Sequence, residues 1–279
     1  MSAPTLKPVA TRPGKAPRPS LRGRKHWLRW TVVAAVVVFL HVLAIQGTDF
    51  QPQLLVDGWK GMAQFLADAF PPDLNWERTI QPGLDATLVT LWIGLLGTTF
   101  SIPTALLLAV LGARTTSPAG WVYQVARAIL SFFRAVPDIV FALIFVTAVG
   151  LGPFPGVLAL ICHNTGVMGK LWAEAMEEID SGPQEALRAA GANRIQQVAN
   201  ATLPMVVPQF VGLLLYRFDV NVRSSLVLGL VGAGGIGLLI NQSIKTFRFD
   251  AMLTHIIIVL VLIVVVDQLS AFVRKRLAA

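Results

Sequence analysis

Residues 86–113 read ATLVTLWIGLLGTTFSIPTALLLAVLGA, 28 positions without one charged side chain. A helix needs about 20 such residues to cross the hydrocarbon of a bilayer. The stretch therefore belongs in lipid, and the rest of the chain agrees. Of its 279 residues, 54% are hydrophobic and only 14% charged, a balance unsuited to a soluble protein. Working outward, hydropathy and turn residues predict an all-α polytopic membrane protein with about six transmembrane helices. The first covers residues 28–46 and the second 84–111, with a kink at Pro103. The third, 135–149, is separated from the fourth, 156–171, by the turn GLGPFP at 150–155. The fifth follows Pro204, and the sixth covers 251–272.

The net charge of +8 sits entirely in the N-terminal tail. Lys7, Arg12, Lys15, Arg18, Arg22, Arg24, Lys25 and Arg29 precede the first acid, and the remaining basic and acidic residues balance. A Pro-rich basic tail before an apolar run fits the rule that cytoplasmic flanks carry Lys and Arg better than it fits nucleic-acid binding. The same pattern opens a signal peptide, but Gln46-Gly47-Thr48-Asp49 offers no small-residue cleavage site, so a retained first helix is expected. The segment after it holds Asp49, Asp57, Asp68, Asp73, Glu77 and Asp85 against Lys60 and Arg78, which places it outside. Arg114, Arg127 and Arg134 return the next loop to the inside, as do Arg274, Lys275 and Arg276 at the end. Both termini are expected to be cytoplasmic.

Five regions follow: a basic tail (1–27), a first span (28–46), an outer segment (47–83), a core (84–272) and a basic C-terminus (273–279). The outer segment contains an amphipathic stretch, 54–70, read as an interfacial helix or as a docking surface for an external partner. One cysteine, Cys162, excludes an internal disulfide, and four scattered histidines give no metal-ligand spacing. Neither a metal site nor catalytic residues are expected.

The most patterned polar segment is the loop 172–204. Ser181 is placed to cap a helix with Pro183 in its first turn and Gln184 at the capping-box position. Glu185-Ala186-Leu187-Arg188-Ala189-Ala190 is strongly helix-forming, Gly191 can end it in the left-handed conformation, and Asn193 can cap a second short helix. Leu203 and Pro204 lead back into the membrane. Small side chains at Ala186, Ala189 and Ala190 allow another backbone to approach closely, although an ordinary helical hairpin has the same pattern.

This loop resembles the EAA loop of bacterial ABC importer permeases, whose pattern is E-A-A, three residues, G, nine residues, I, one residue, L-P. Glu185, Ala186, Gly191, Leu203 and Pro204 match without a gap, while Leu187 and Ala201 depart from the usual Ala and Ile. Over residues 84–277 the chain is most similar to permeases of the phosphonate and phosphate importer family, through RAVPD at 134–138, VGLGPF at 149–154, EEID at 177–180, LYRF at 215–218 and GLVGAGGIG at 229–237. The resemblance implies a type I importer permease fold in a bacterial inner membrane, paired with a second copy or close paralogue. It also implies two cytoplasmic ATPase subunits seated on the EAA loops and an external binding protein that delivers a phosphonate, phosphate or related oxyanion. ATP and Mg would belong to the ATPase subunits, since no Walker A sequence occurs here. A permease for another small solute such as an amino acid, or a passive channel or scaffold, are the alternatives. An embedded enzyme would want converging nucleophile, base or metal ligands, and none is evident.

Gly232, Gly234 and Gly235 lie in a G-x-G-x-x-G pattern, but a span follows where a dinucleotide site needs a βαβ unit, so a tight or re-entrant turn is expected beside the pathway. Arg217, Asn221 and Ser224 share one helical stripe and are candidates to line the pathway, Arg217 with a fork suited to oxyanions or else as an interfacial arginine. Asp219 with Arg223, and Arg134 with Asp138, are four apart and read as ion pairs, the latter alternatively as a gate.

Overall fold

The computed structural model describes residues 24–277, so most of the basic tail lies outside the described residues. It divides into residues 1–60 and 61–279, each taken by itself. In the first unit, α1 (Arg24–Gly47) is followed by the short α2 (Gln53–Asp57). Its 24 residues extend about 36 Å, enough to span. The expected amphipathic helix is interrupted at Gly58, beyond which α3 (Trp59–Ala69) leads into the second unit. There Phe65 meets Phe249 edge-on at 4.8 Å, while Met62 and Leu66 remain exposed.

After a π-type turn at Trp76–Ile80 comes α4 (Gln81–Gly112), which contains the stretch that opened the reading. Apart from Ile93, its buried face is built of small residues: Gly83, Thr87, Thr90, Gly94, Gly97, Thr98, Ser101, Ala105, Ala109 and Gly112. Their spacing follows the 3.6-residue turn, so they form one seam on which other backbones rest, as membrane helices favour. A Cβ on Gly94 would come within 2.8 Å of Val222, and one on Gly97 within 2.5 Å of Leu160.

Next, α5 (Gly120–Ala135) and α6 (Asp138–Val149) meet at an 84° bend. Val136 there is extended, as a residue before proline prefers, and Pro137 starts α6. The central element is α7 (Pro153–Glu178), 26 residues of which 14 are buried against its neighbours. The reading of two short spans at 135–149 and 156–171 is corrected accordingly. The former is a 12-residue helix bent off α5, and the latter is the first part of α7. Among the described residues four helical stretches are long and apolar enough to cross a membrane, and α5 with α6 makes a fifth if taken as one span. By itself α7 is not among them, since His163, Asn164 and Lys170 interrupt its apolar run and Glu174, Glu177 and Glu178 close it. A helix wrapped by protein needs no apolar exterior.

Two short helices follow, α8 (Gly182–Ala189) and α9 (Arg194–Gln197), then a π-type turn, Val198–Thr202. From it α10 (Leu203–Leu230) runs the length of the bundle, reverses at a glycine turn into α11 (Ile236–Lys245), and α12 (Phe249–Leu277) returns. Hydrogen bonds sort the loops into two ends. At one, Thr115 donates to the Met176 carbonyl (3.2 Å) and Arg194 to that of Ser117. At the other, Gly152 N–H donates to Gly232 O (3.0 Å) and Arg248 pairs with Asp73 (2.9 Å). The first end holds Arg114 and Arg127, and the positive-inside rule would put it in the cytoplasm, whereas the backbone of Arg134 packs on Gly166 midway along α7.

Candidate functional site

The elbow formed by α8 and α9 is built much as its residues require. Asn193 and Gln196 form a reciprocal capping box, with Gln196 N–H donating to Asn193 Oδ1 (2.9 Å) and Asn193 N–H to Gln196 Oε1 (2.8 Å). Gly191 has φ +85°, and its N–H donates to Arg188 O at 3.0 Å. The expected cap at Ser181 does not form. Ser181 has helical backbone angles, and its hydroxyl donates to Glu185 Oε1 (2.8 Å), while Asp180 accepts from Gly182 N–H (3.0 Å). Gln184, freed from a capping role, donates to Thr202 Oγ1 (2.9 Å) and ties the two arms together. Ala201 and Thr202 are buried where the elbow rejoins α10, Leu187 and Leu203 are half-buried, and Pro204 lies in the first turn of α10. Glu185, Ala186, Ala189 and Ala190 are exposed, as is Ile195 at 79%.

Behind the elbow, Glu177 gathers the ends of three helices. It accepts from Arg114 N–H (2.8 Å) and from Arg127 (2.9 Å), whose Nε donates to Gly112 O at the end of α4 (2.8 Å). This clamp was not anticipated from the sequence, because its members lie on separate elements.

Deeper in the bundle, polar side chains join α4, α7 and α10. Arg217 is 8% exposed and donates through Nε to Asn164 Oδ1 (2.9 Å) and through Nη2 to Asn221 Oδ1 (3.2 Å). Asn164 donates to Ser101 (2.6 Å) and Asn221 to Thr98 (2.8 Å). Among the described residues no carboxylate forms an ion pair with Arg217. Of the expected stripe, Arg217 and Asn221 come together, whereas Ser224 is half-buried and outside the network. Its neighbour Ser225 is the one engaged, donating to Thr90 O at 3.0 Å. Asn164, Thr98 and Ser101 were missed. An asparagine inside an apolar run, and hydroxyls at helical spacing along residues 86–113, were the available signals.

The glycine turn is tight, as expected. Gly232, Gly234 and Gly235 have φ of +96°, +79° and +71°, and Ile236 N–H donates to Thr90 Oγ1 (2.9 Å). A Cβ at Gly235 would fall 2.4 Å from that hydroxyl. Asp219 and Arg223 form the expected pair, with Asp267 at 3.9 Å from Arg223. Arg134 and Asp138 do not pair: the bend at Val136-Pro137 removes the continuous helix on which i, i+4 contact depends, and Asp138 accepts from Ile139 N–H instead (2.9 Å).

At the end of the bundle opposite the elbow, Asp73 fastens the approach to α4 onto α12. It accepts from Thr79 Oγ1 (2.5 Å), Asn75 N–H (3.0 Å) and Arg248 (2.9 Å), and its carbonyl accepts from Thr254 (2.8 Å). The Thr79 hydroxyl first, then Asn75 N–H, with Arg248 contributing less, hold this carboxyl below its ordinary range. A depressed carboxylate adds stability above its unfolded pKa of about 4, and that stability is lost as pH falls through the folded value. Purified protein unfolded by heat between pH 7 and pH 3 should lose part of its stability below about pH 4. In Asp73→Asn that part should be missing already at pH 7; equal pH profiles for the two proteins would show the clasp to be idle.

Residues 101–279 match the family model described as the binding-protein-dependent transport system inner membrane component. The chain belongs to that family of ABC importer permeases. It is 40% identical over 223 residues to the phosphite transport system permease protein PtxC of Stutzerimonas stutzeri, covering 80% of each chain. It is 39% identical over 236 residues to the phosphate-import permease protein PhnE of Mycolicibacterium smegmatis, covering 85% of this chain but only 44% of that longer relative. The inward-facing MetNI methionine ABC transporter superposes with a TM-score of 0.58 at 22% identity, over 71% of this chain and 95% of that one. A bacterial ABC transporter for alginate does so with 0.58 at 16%, over 91% and 96%. At those identities the likeness is one of fold.

Proposed function

We propose that this permease carries a phosphorus oxyanion, a phosphonate, phosphite or phosphate, delivered by an extracytoplasmic binding protein. Two permease chains would form the pathway, and two ATPase subunits, holding ATP and Mg, would seat against the elbows around Glu185–Gly191. Their closure would rock the bundles between outward-open and inward-open states.

The observation that carries the cargo class is Arg217, a buried guanidinium whose hydrogen-bond partners are the neutral Asn164 and Asn221. A cation kept in a low-dielectric interior without an ion-pair partner favours an anion passing nearby. Its planar fork also matches two phosphoryl oxygens. Relatives about 40% identical with phosphite and phosphate in their names support the same cargo. The test is uptake of labelled phosphite by cells whose own phosphorus importers are deleted, with the full operon restored. Unlabelled phosphonate, phosphite or phosphate should compete and methionine should not; methionine competition with no effect of any phosphorus oxyanion would overturn the assignment.

A further inference from the structure

A second polar site lies on the outer face, remote in sequence from the Arg217 network. A cleft of about 330 Å³ opens between the start of α4, the polar face of α11 and the start of α12. Arg78, Gln242, Ser243, Thr246, Arg248 and His255 supply its polar lining. His255 is 5% exposed; neither ring nitrogen makes a hydrogen bond of full geometry, and its nearest polar contact is with the backbone of Thr79. It is wedged against Gly83, where a Cβ would come within 3.0 Å of the ring. Even with that contact, at least one nitrogen of a buried imidazole is left unsatisfied, which is costly unless something else completes it.

The surroundings show what kind of group would do so. Ser243 is 7% exposed, and its hydroxyl makes no hydrogen bond among the described residues. Arg78 is exposed, and its guanidinium has no ion-pair partner among them. Arg248 spends one nitrogen on Asp73 and keeps its other donors. Thr246 is committed to the Gln242 carbonyl (2.8 Å), which turns the last residues of α11 into a fixed wall. The cleft thus offers a surplus of donors, and no carboxylate lines it.

We infer that this cleft is a binding site for a phosphate-type oxyanion on the outer face, with Arg78 and Arg248 supplying charge and His255 and Ser243 the buried hydrogen bonds. Arginine forks suit such a group, and the cleft has room for it with several waters. The inference rests on the proposed cargo only for its choice of probe. The ligand chemistry has two sources, free oxyanion and the headgroup of an anionic lipid, and the experiment separates them.

Full-length permease in its complete importer, without binding protein, is placed in nanodiscs of phosphatidylcholine alone or with one part in five phosphatidylglycerol. Binding of inorganic phosphate is titrated, and retained lipid is read by native mass spectrometry. Arg78→Gln is the main variant, since Arg78 is exposed outside the Asp73 clasp; Ser243→Ala is the second. For free oxyanion, phosphate binds the phosphatidylcholine discs saturably and about tenfold more weakly in each variant. For a headgroup, phosphatidylglycerol is retained by the parent and lost from Arg78→Gln, while phosphate does not bind. Equal binding of both probes by parent and variants, or none by any, overturns the inference. That result alongside intact phosphite uptake would leave the cargo assignment standing. Binding here without uptake of any phosphorus oxyanion would instead remove that assignment.

Discussion

Replacing Ala186 by Trp is expected to abolish ATP-driven uptake while the permease still inserts and folds. Ala186 is exposed on α8, so within this chain the larger side chain meets solvent and costs little. The damage has to come from a partner that needs a small residue there. An indole forced into a close-packed interface removes about 2 kcal/mol or more, roughly a thirtyfold loss in seating of the ATPase. Gly191 makes the same case through the backbone. A Cβ there would touch nothing within 4 Å, but φ is +85°, so Gly191→Val costs about 1–2 kcal/mol in conformation alone. Gly191→Asn, which tolerates the left-handed region, should retain most uptake. Co-purified ATPase and uptake per assembled complex are the readouts; full transport by both Ala186→Trp and Gly191→Val would contradict the coupling role.

The other large effect is expected at Arg217. Arg217→Ala removes a buried cation and strands the amide oxygens of Asn164 and Asn221, at roughly 1–3 kcal/mol each. Assembly should suffer as well as transport, so Arg217→Lys is the more telling variant. It keeps the charge and loses the fork. With assembly near that of the parent, uptake should still fall about 10- to 100-fold, the value of one or two charge-assisted hydrogen bonds. Uptake undiminished in an assembled Arg217→Ala complex would remove this side chain from the pathway.

Those predictions rest on features that were unequally visible in the sequence. The membrane class was plain from residues 86–113, and the elbow from Asn193, Gly191 and the alanines, because capping and left-handed turns are local chemistry. Local chemistry also misled. Ser181 carries the right side chain for a cap, but helical backbone angles and the neighbouring Asp180 carboxylate take that role away. Arg134 and Asp138 have the spacing of a pair, but spacing means contact only along an unbroken helix, and Pro137 breaks it. The least legible element was α7. Hydropathy measures the transfer of a segment into lipid, whereas α7 is surrounded mainly by protein, so its charges and Asn164 disguised the most buried helix of the bundle. The Arg217 network was half visible for a related reason. Residues on one helix share a stripe that can be counted, but their partners on α4 and α7 are set by packing.

The seam of small residues on α4 bears on how a mechanical stroke travels. Where helices touch through long flexible side chains, one can slip past another as rotamers change, and a push dissipates in the slack. Here α4 approaches α10 closely at Gly94 and α7 at Gly97, so little compliant material lies between the rods at those two points. Since α10 runs from the elbow to the glycine turn, about 40 Å along its 28 residues, and α7 joins the same two ends beside it, a tilt imposed at one end is carried by both rods toward the other. The bundle is geared as a lever with a stiff shaft. The breaks in its rods are the 84° joint of α5 and α6 and the prolines inside α4 and α10, Pro103 and Pro208.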